Sequence, residues 1–190
     1  MIHNISAVPR SLTIYLLALV TITFCGCGGI ISGPTGYEKF KRDEDAFVKA
    51  IRDAGGKASK ESKSMFGVHK TGWLIDLSGA TVSDQLIAHM VDAAKLNSIF
   101  QLNLSDSTIT NDQLAELDNG KALERTVELD LRNTGITDDG LDKLSNLCWI
   151  STLNLKGSSA TKLGAKKLED KKIANPDTPI PFKKQINTQT

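Results

Sequence analysis

The chain has few aromatic residues and few cysteines, and neither sign of charge dominates it. Phe, Trp and Tyr make up 5% of the sequence, so Leu, Ile and Val must do most of the packing. The three cysteines, Cys25, Cys27 and Cys148, fit neither a disulfide framework nor a zinc ribbon. Lys and Arg number 23 against 22 Asp and Glu. Because nucleic acid is bound through a cationic field that displaces counterions, we expect no nucleic-acid partner.

The motifs of common catalytic and metal sites are also missing. The sequence has no H-E-x-x-H, no C-x-x-C, no phosphate-cradling glycine loop and no G-x-S-x-G. His69 and His89 fall at different points of the repeat pattern described below, so we expect them to lie apart. The sequence therefore predicts no enzyme activity, no catalytic residue, no metal and no cofactor.

The N-terminal segment indicates export. Arg10 is the one firmly charged residue before an almost unbroken apolar run from Leu12 to Phe24, as in a bacterial signal peptide. The sequence Phe24-Cys25-Gly26-Cys27 resembles the lipobox of bacterial lipoproteins, with two departures, Phe24 where Leu is usual and Cys25 at position −2. That resemblance implies cleavage before Cys27 and a lipid on its thiol.

Two alternatives to the lipoprotein remain open. The stretch from Leu12 to Ile31 is 20 residues long, about the length that crosses a bilayer, so an uncleaved anchor is one. A cleaved, secreted protein is the other. Membrane anchoring through the lipid on Cys27 or through an N-terminal anchor places the protein on the extracytoplasmic side of a bacterial envelope. We therefore assign residues 1–26 to an export signal and 27–42 to a lipidated N-terminus and flexible Gly/Pro/Ser tether.

The segment 43–72 is predicted to cap the domain that follows. Phe47, Ile51 and the alanines between Asp43 and Ala54 share one helix face, and Gly55-Gly56 supplies a stop. After the polar stretch KASKES, Met65, Phe66 and Val68 predict a short strand.

A leucine pattern recurs four times between Trp73 and Leu168. Its second leucine steps by 27, 27 and 24 residues, through Leu77, Leu104, Leu131 and Leu155. An apolar residue lies two positions before each of these leucines; these residues are Ile75, Leu102, Leu129 and Leu153. This alternation predicts short strands with both residues pointing inward, stacked in parallel. The residue three positions past the second leucine is Ala80, Ser107, Thr134 or Ser158. The hydroxyls of the last three can form hydrogen bonds with the backbone of the turn, whereas Ala80 has none. Helices are predicted after the N-cap residues Ser83, Thr110, Thr137 and Thr161.

This period and its L-x-L core resemble leucine-rich repeats. Residues 137–144 (TDDGLDKL) resemble the T-D-x-G-L-x-x-L element of the cysteine-containing, F-box-type subclass, and Ala50–Gly56 resembles a helix end that precedes such repeats in short bacterial members. The resemblance implies an α/β fold: a short leucine-rich-repeat solenoid with a parallel sheet on the concave side, helices on the convex side and an N-terminal helical cap. The four repeats span 73–168, and residues 169–190 form a Pro/Lys-containing tail, partly extended and mobile. The motif identifies a fold but gives almost no information about function.

The outward positions of the predicted sheet are the candidate binding surface. They are Asp76, Ser78, Gln101, Asn103, Ser105, Glu128, Asp130, Arg132, Asn154 and Lys156, with Leu74 and Thr152 on the same face. Short carboxylates and amides about 4.8 Å apart form a central row, and Arg132 and Lys156 lie beside one end of it. Such a concave face favours a protein partner, with a glycan or envelope polymer, aided by the basic tail, as the alternative. Solvated strand residues without a binding role would give the same pattern.

Overall fold

A mostly parallel sheet with helices between its strands makes up the part of the chain that the structure describes. The computed structural model describes residues 36–65, 68–173 and 186–187. The strands lie side by side in chain order. They are β1 (Lys57–Met65), β2 (Val68–Asp76), β3 (Ser98–Asn103), β4 (Glu128–Asp130), β5 (Thr152–Asn154) and β6 (Ile186–Asn187). β1 and β2 pair antiparallel, and every later pair is parallel. The α/β class and the parallel stacking are thus confirmed.

The helices alternate with the strands and pack against one another in chain order. They are α1 (Gly36–Asp53), α2 (Asp84–Leu96), α3 (Asn111–Asn119), α4 (Asp138–Asp142) and α5 (Lys162–Ile173). In the described ranges, no helix combines the length and the apolar character that crossing a membrane requires.

The leucine pattern forms the core, as predicted. Register places Leu102 between Ile75 and Leu129, and Leu129 beside Leu153. These four residues and the leucines two positions further on are all 2% exposed or less. Helix residues such as Leu86 belong to the same apolar cluster. Each buried side chain of this size contributes about 1.5–3 kcal/mol, so the stacked inward residues stabilise the sheet against the helices.

In three of the four repeats, the hydroxyl three residues past the second leucine closes the turn. The Ser107 Oγ donates to the Leu104 carbonyl at 2.7 Å, and the Thr134 Oγ1 donates to the Leu131 carbonyl at 2.8 Å. The Ser158 Oγ donates to the Leu155 carbonyl at 2.8 Å. The predicted pairing of these hydroxyls with the turn backbone is confirmed.

Three of the four predicted N-cap residues cap their helices through the side chain. Side-chain oxygens of Ser83, Thr110 and Thr161 accept from the backbone N–H three residues on, and Gln113 completes a capping box with Thr110. Thr137 is the N-cap residue of its helix, as predicted, but its side chain makes no capping hydrogen bond, because its hydroxyl accepts instead from the side-chain amide of Asn111 at 2.8 Å. The helix after Thr137, α4, is only five residues long.

The N-terminal helix begins earlier than predicted, at Gly36 instead of Asp43. Phe40 extends the apolar face of Phe47 and Ile51 by two more turns, since the three lie at intervals of seven and four residues. The ammonium of Lys60 lies 5.5 Å from the Phe40 ring centre and 2.6 Å from the Glu44 carboxylate. Residues 36–42, predicted as tether, are therefore helical.

The polar stretch before the first repeat is an edge strand. KASKES lies in β1, which pairs along all nine of its residues with β2. An edge strand with solvent on its outer side needs no apolar alternation, and lysines there discourage pairing with other chains. The predicted strand around Met65 and Val68 is therefore two strands, whose connection at 66–67 lies outside the described residues.

The C-terminal prediction is corrected in two places. α5 continues past Leu168 to Ile173. β6 then adds a parallel neighbour to β5, with Ile186 opposite Leu153 and Asn187 opposite Asn154. Ile186-Asn187 repeats the apolar-then-amide order of β5, which is the signal that the tail prediction overlooked.

The export signal, the lipid on Cys27 and the rest of the tail lie outside the described residues and stay predictions.

Candidate functional site

The predicted outward residues lie on one face in three rows that run across the strands. The first row is Leu74, Gln101, Glu128 and Thr152, and the central row is Asp76, Asn103, Asp130 and Asn154, each aligned by strand register. The turn row is Ser78, Ser105, Arg132 and Lys156. Backbone bonds from Gly79 to Ser105, from Asp106 to Arg132 and from Asn133 to Lys156 continue the stacking into the turns. The structure therefore brings together the residues that the sequence grouped.

The central row closes its own turns. In each of the four residues, the Oδ1 atom accepts from the backbone N–H two residues on, at 3.0–3.3 Å. Asp and Asn favour this local bond, which mimics a turn and ends the strand. Sequence reasoning missed this role, although Asp or Asn two residues before a turn in every repeat was the signal. The Oδ1 atoms of the central row are therefore committed to the chain itself.

Side chains also tie neighbouring repeats together at this end of the sheet. The Asn103 amide donates to the Asp76 Oδ1 at 3.0 Å, and the Asn133 amide donates to the Asp106 Oδ1 at 2.9 Å. Asp106 and Asn133 have positive φ, 58° and 53°, a conformation that Asp and Asn adopt more readily than most residues. The sequence did not single out either of them.

Two of the charged residues predicted on the face, Asp130 and Arg132, form an ion pair with each other. The Arg132 Nη2 lies 2.9 Å from the Asp130 Oδ2, with side-chain exposures of 45% and 23%. The hydrogen bond and charge of Asp130 raise the pKa of Arg132 above its usual value. Within the described part of the chain, no ion pair engages Glu128 or Lys156, and both are exposed. Asp76 likewise forms no ion pair among the described residues, but its Oδ1 accepts from two neutral N–H groups.

Accessibility divides the predicted residues further. Ser105, predicted to be available, is 4% exposed and therefore buried. Gln101 and Thr152 are half-buried on either side of the exposed Glu128. Ser78, Glu128, Arg132 and Lys156 are the exposed residues of the face, whereas the four central-row residues are half-buried and hold the turns in place.

The face is suited to binding through hydrogen bonds and charge. His89 lies half-buried on α2, and His69 belongs to β2. Across residues 36–65, 68–173 and 186–187, no group of three or more His, Cys, Asp or Glu side chains could hold a metal ion.

Compared with known proteins, the chain matches no family model and no curated sequence.

Proposed function

We propose that this chain is a non-enzymatic, envelope-anchored binding module. Its domain is a short leucine-rich-repeat solenoid, and the concave, outward face of the sheet holds a protein partner. Parallel strands in chain order, inward leucines at equivalent positions and hydroxyl-closed turns support the repeat assignment.

One observation carries the binding role: the face is held in place before any partner arrives. The four central-row side chains fix the turns, so the first row and the turn row stand on a rigid frame. Ordering side chains and loops on association costs free energy, and a face that is already ordered avoids much of that cost.

The charges left on the face indicate how a partner is recognised. Glu128 lies in the first row between Gln101 and Thr152, and Lys156 lies in the turn row one strand away. A partner with a donor or cation opposite Glu128 and an acid opposite Lys156 would be steered and aligned by them.

The test is crosslinking and capture from native envelope with charge-swapped variants. Glu128→Lys/Lys156→Glu keeps the net charge and leaves the central-row turns intact, because neither side chain closes a turn. The matched control, Asp112→Lys/Lys143→Glu, swaps an ion pair that joins α3 to the residue after α4.

We expect one protein to be captured by the wild type and by the control, and to be about tenfold depleted with the swapped face. Equal capture by all three proteins would contradict binding through this face. Retention on purified envelope polymer, with no protein captured, would favour the tethering alternative.

The membrane anchor is tested separately. Replacement Cys27→Ala should release the protein from membranes, because the lipid supplies the anchoring free energy, about 0.8 kcal/mol per buried methylene. A variant that stays in the membrane fraction would contradict the lipid and favour an uncleaved anchor.

A further inference from the structure

A cavity of about 310 Å³ lies between the end of α2, the first residue of β3 and the turn that follows α3. We propose that it binds a small ligand bearing one carboxylate or phosphate group. This site shares no residue with the outward face of the sheet, and the inference does not rest on the proposed function.

The charged residues that line the cavity are mainly cationic. Lys95, Lys121 and Arg125 line it together with a single carboxylate, Glu124. Lys95 also pairs with Asp92 at 2.7 Å, but both side chains are more than 60% exposed. Such an exposed pair is weak and can exchange partners with little loss. The cavity therefore favours an anion.

Lys121 lines the cavity at a position where glycine would be more stable. Its φ is 61°, a left-handed conformation that is costly for residues with a Cβ. The N–H groups of Lys121 and Ala122 donate to the carbonyls of Asp118 and Leu117 and so end α3. Glycine is the usual residue where a helix ends this way. A lysine kept in strained backbone beside a cavity points to a role for its charge.

Arg125 is held in place by an aromatic ring. Its guanidinium carbon lies 5.9 Å from the centre of the Trp149 ring, and both residues are half-buried. Contact with the ring restricts the guanidinium without neutralising it. A planar guanidinium can donate two parallel hydrogen bonds to a carboxylate or phosphate. Arg125 is thus the residue best suited to orient the anionic group.

The remaining lining limits the size and character of the ligand. Ala94, Gly120 and Ala122 give small apolar walls, and Ser98 adds a hydroxyl. The volume lies at the lower end of the range for small-molecule sites, about 300–1,000 Å³. It suits a single acidic or phosphorylated sugar and excludes a folded partner. Glu124 and Ser98 can bond to the hydroxyls of such a sugar.

The test is to titrate small anions into the full chain at constant ionic strength and to monitor the backbone amide signals by NMR. The probes are inorganic phosphate, glucuronate and, as a neutral control, glucose. We expect saturable shifts at Ser98, Gly120 and Ala122 with at least one of the two anions and none with glucose. The phosphate and glucuronate arms identify which anionic group is preferred. Absence of saturation with both anions would overturn the proposal.

Two variants separate a built site from general charge attraction. Arg125→Gln should weaken binding about tenfold. Lys143→Gln removes the same charge outside the cavity and should change binding less than about twofold. Equal weakening by both variants would overturn the proposal.

The strain at Lys121 gives a further check. Lys121→Gly should raise the melting temperature and at the same time weaken anion binding, because it relieves the backbone and removes a cation. A variant that is more stable and binds the anion as tightly as the wild type would overturn the role assigned to Lys121.

Discussion

The carboxylate of Asp118, at the end of α3, accepts from the backbone N–H of Asn146 at 2.9 Å and from its side-chain amide at 3.3 Å. It also accepts from the backbone N–H of Ser145 at 2.7 Å and from its hydroxyl at 3.1 Å. Asp118 is 0% exposed. Buried charges persist when hydrogen bonds replace water, and here the donors come from the segment between α4 and β5. The carboxylate thus joins two successive repeats.

Replacing Asp118 should be the costliest single change at a polar residue. Asp118→Ala leaves the two backbone N–H groups without their acceptor, and we expect a loss of about 3 kcal/mol in the free energy of unfolding. Urea denaturation measures it. Asp142→Ala, at an exposed residue of α4, should cost less than about 0.5 kcal/mol. A similar loss for both variants would contradict the assigned role of Asp118.

The hydroxyl after β4 should contribute measurably to stability. Thr134 is 5% exposed, and Thr134→Val removes its bond to the Leu131 carbonyl while keeping its shape. We expect a loss of about 1 kcal/mol. Thr134→Ser retains the bond and should cost less than the valine variant. The prediction fails if serine is the more damaging replacement in thermal or chemical unfolding.

Gly164 and Asp138 should be energetically coupled. A Cβ at Gly164 would lie 2.1 Å from the Asp138 Oδ1, which accepts from the Thr161 N–H at 2.7 Å. Gly164→Ala should therefore destabilise the wild type by displacing this carboxylate. The three atoms nearest to that Cβ all belong to the Asp138 side chain, and the Asp138 Cβ, at 2.9 Å, is one of them. An Asp138→Gly background removes all three, and there Gly164→Ala should stabilise α5 by about 0.5–1 kcal/mol through helix propensity. A double-mutant cycle in urea tests this reversal of sign, and additive effects would refute the coupling.

Asp138 should also contribute to the loss of stability in acid. Hydrogen bonds from the Thr161 side chain and backbone hold the pKa of Asp138 below its usual value. A carboxyl whose pKa is lower in the folded state stabilises the fold above its unfolded pKa, and this contribution is lost as pH falls through the folded pKa.

The variant Asp138→Asn keeps an acceptor for Thr161, as Asn111 does for Thr137 in the preceding repeat. Between about pH 6 and pH 2, its melting temperature should therefore fall less than that of the wild type. Parallel melting curves for the two proteins would show that Asp138 makes no such contribution.

The repeat core could be predicted because its signal is periodic and local. Inward leucines, turn hydroxyls and helix N-caps each recur at fixed offsets, so a single sequence reveals them. The grouping of the outward residues followed from strand alternation alone. That alternation could not show that Ser105 is buried, because its burial depends on how the next repeat packs. The turn that Asn103 closes is local, and its recurring Asp or Asn was a sequence signal that was overlooked.

Two further misses were within reach of the pattern, because Phe40 continues the helical spacing of Phe47 and Ile51, and Ile186-Asn187 repeats the residue order of β5. Other misses arise where tertiary contacts replace pattern. β1 is polar because it is an edge strand, so no apolar alternation marks it. A bulge in the pairing of β2 with β3 leaves Phe100 out of alternation, yet it is 1% exposed. Its ring occupies the space where a side chain at Gly72 would be, since a Cβ there would lie 2.7 Å from it. Contacts of this kind lie beyond the reach of periodicity.

Site-specific photocrosslinking in native envelope tests the central claim most directly. A photoreactive residue at Glu128 reports on the outward face, and one at Asp112, whose side chain is 91% exposed on α3, reports on a helix. We predict a discrete protein adduct from position 128 that is absent from position 112. No adduct from position 128, or the same adducts from both positions, would contradict binding through the sheet.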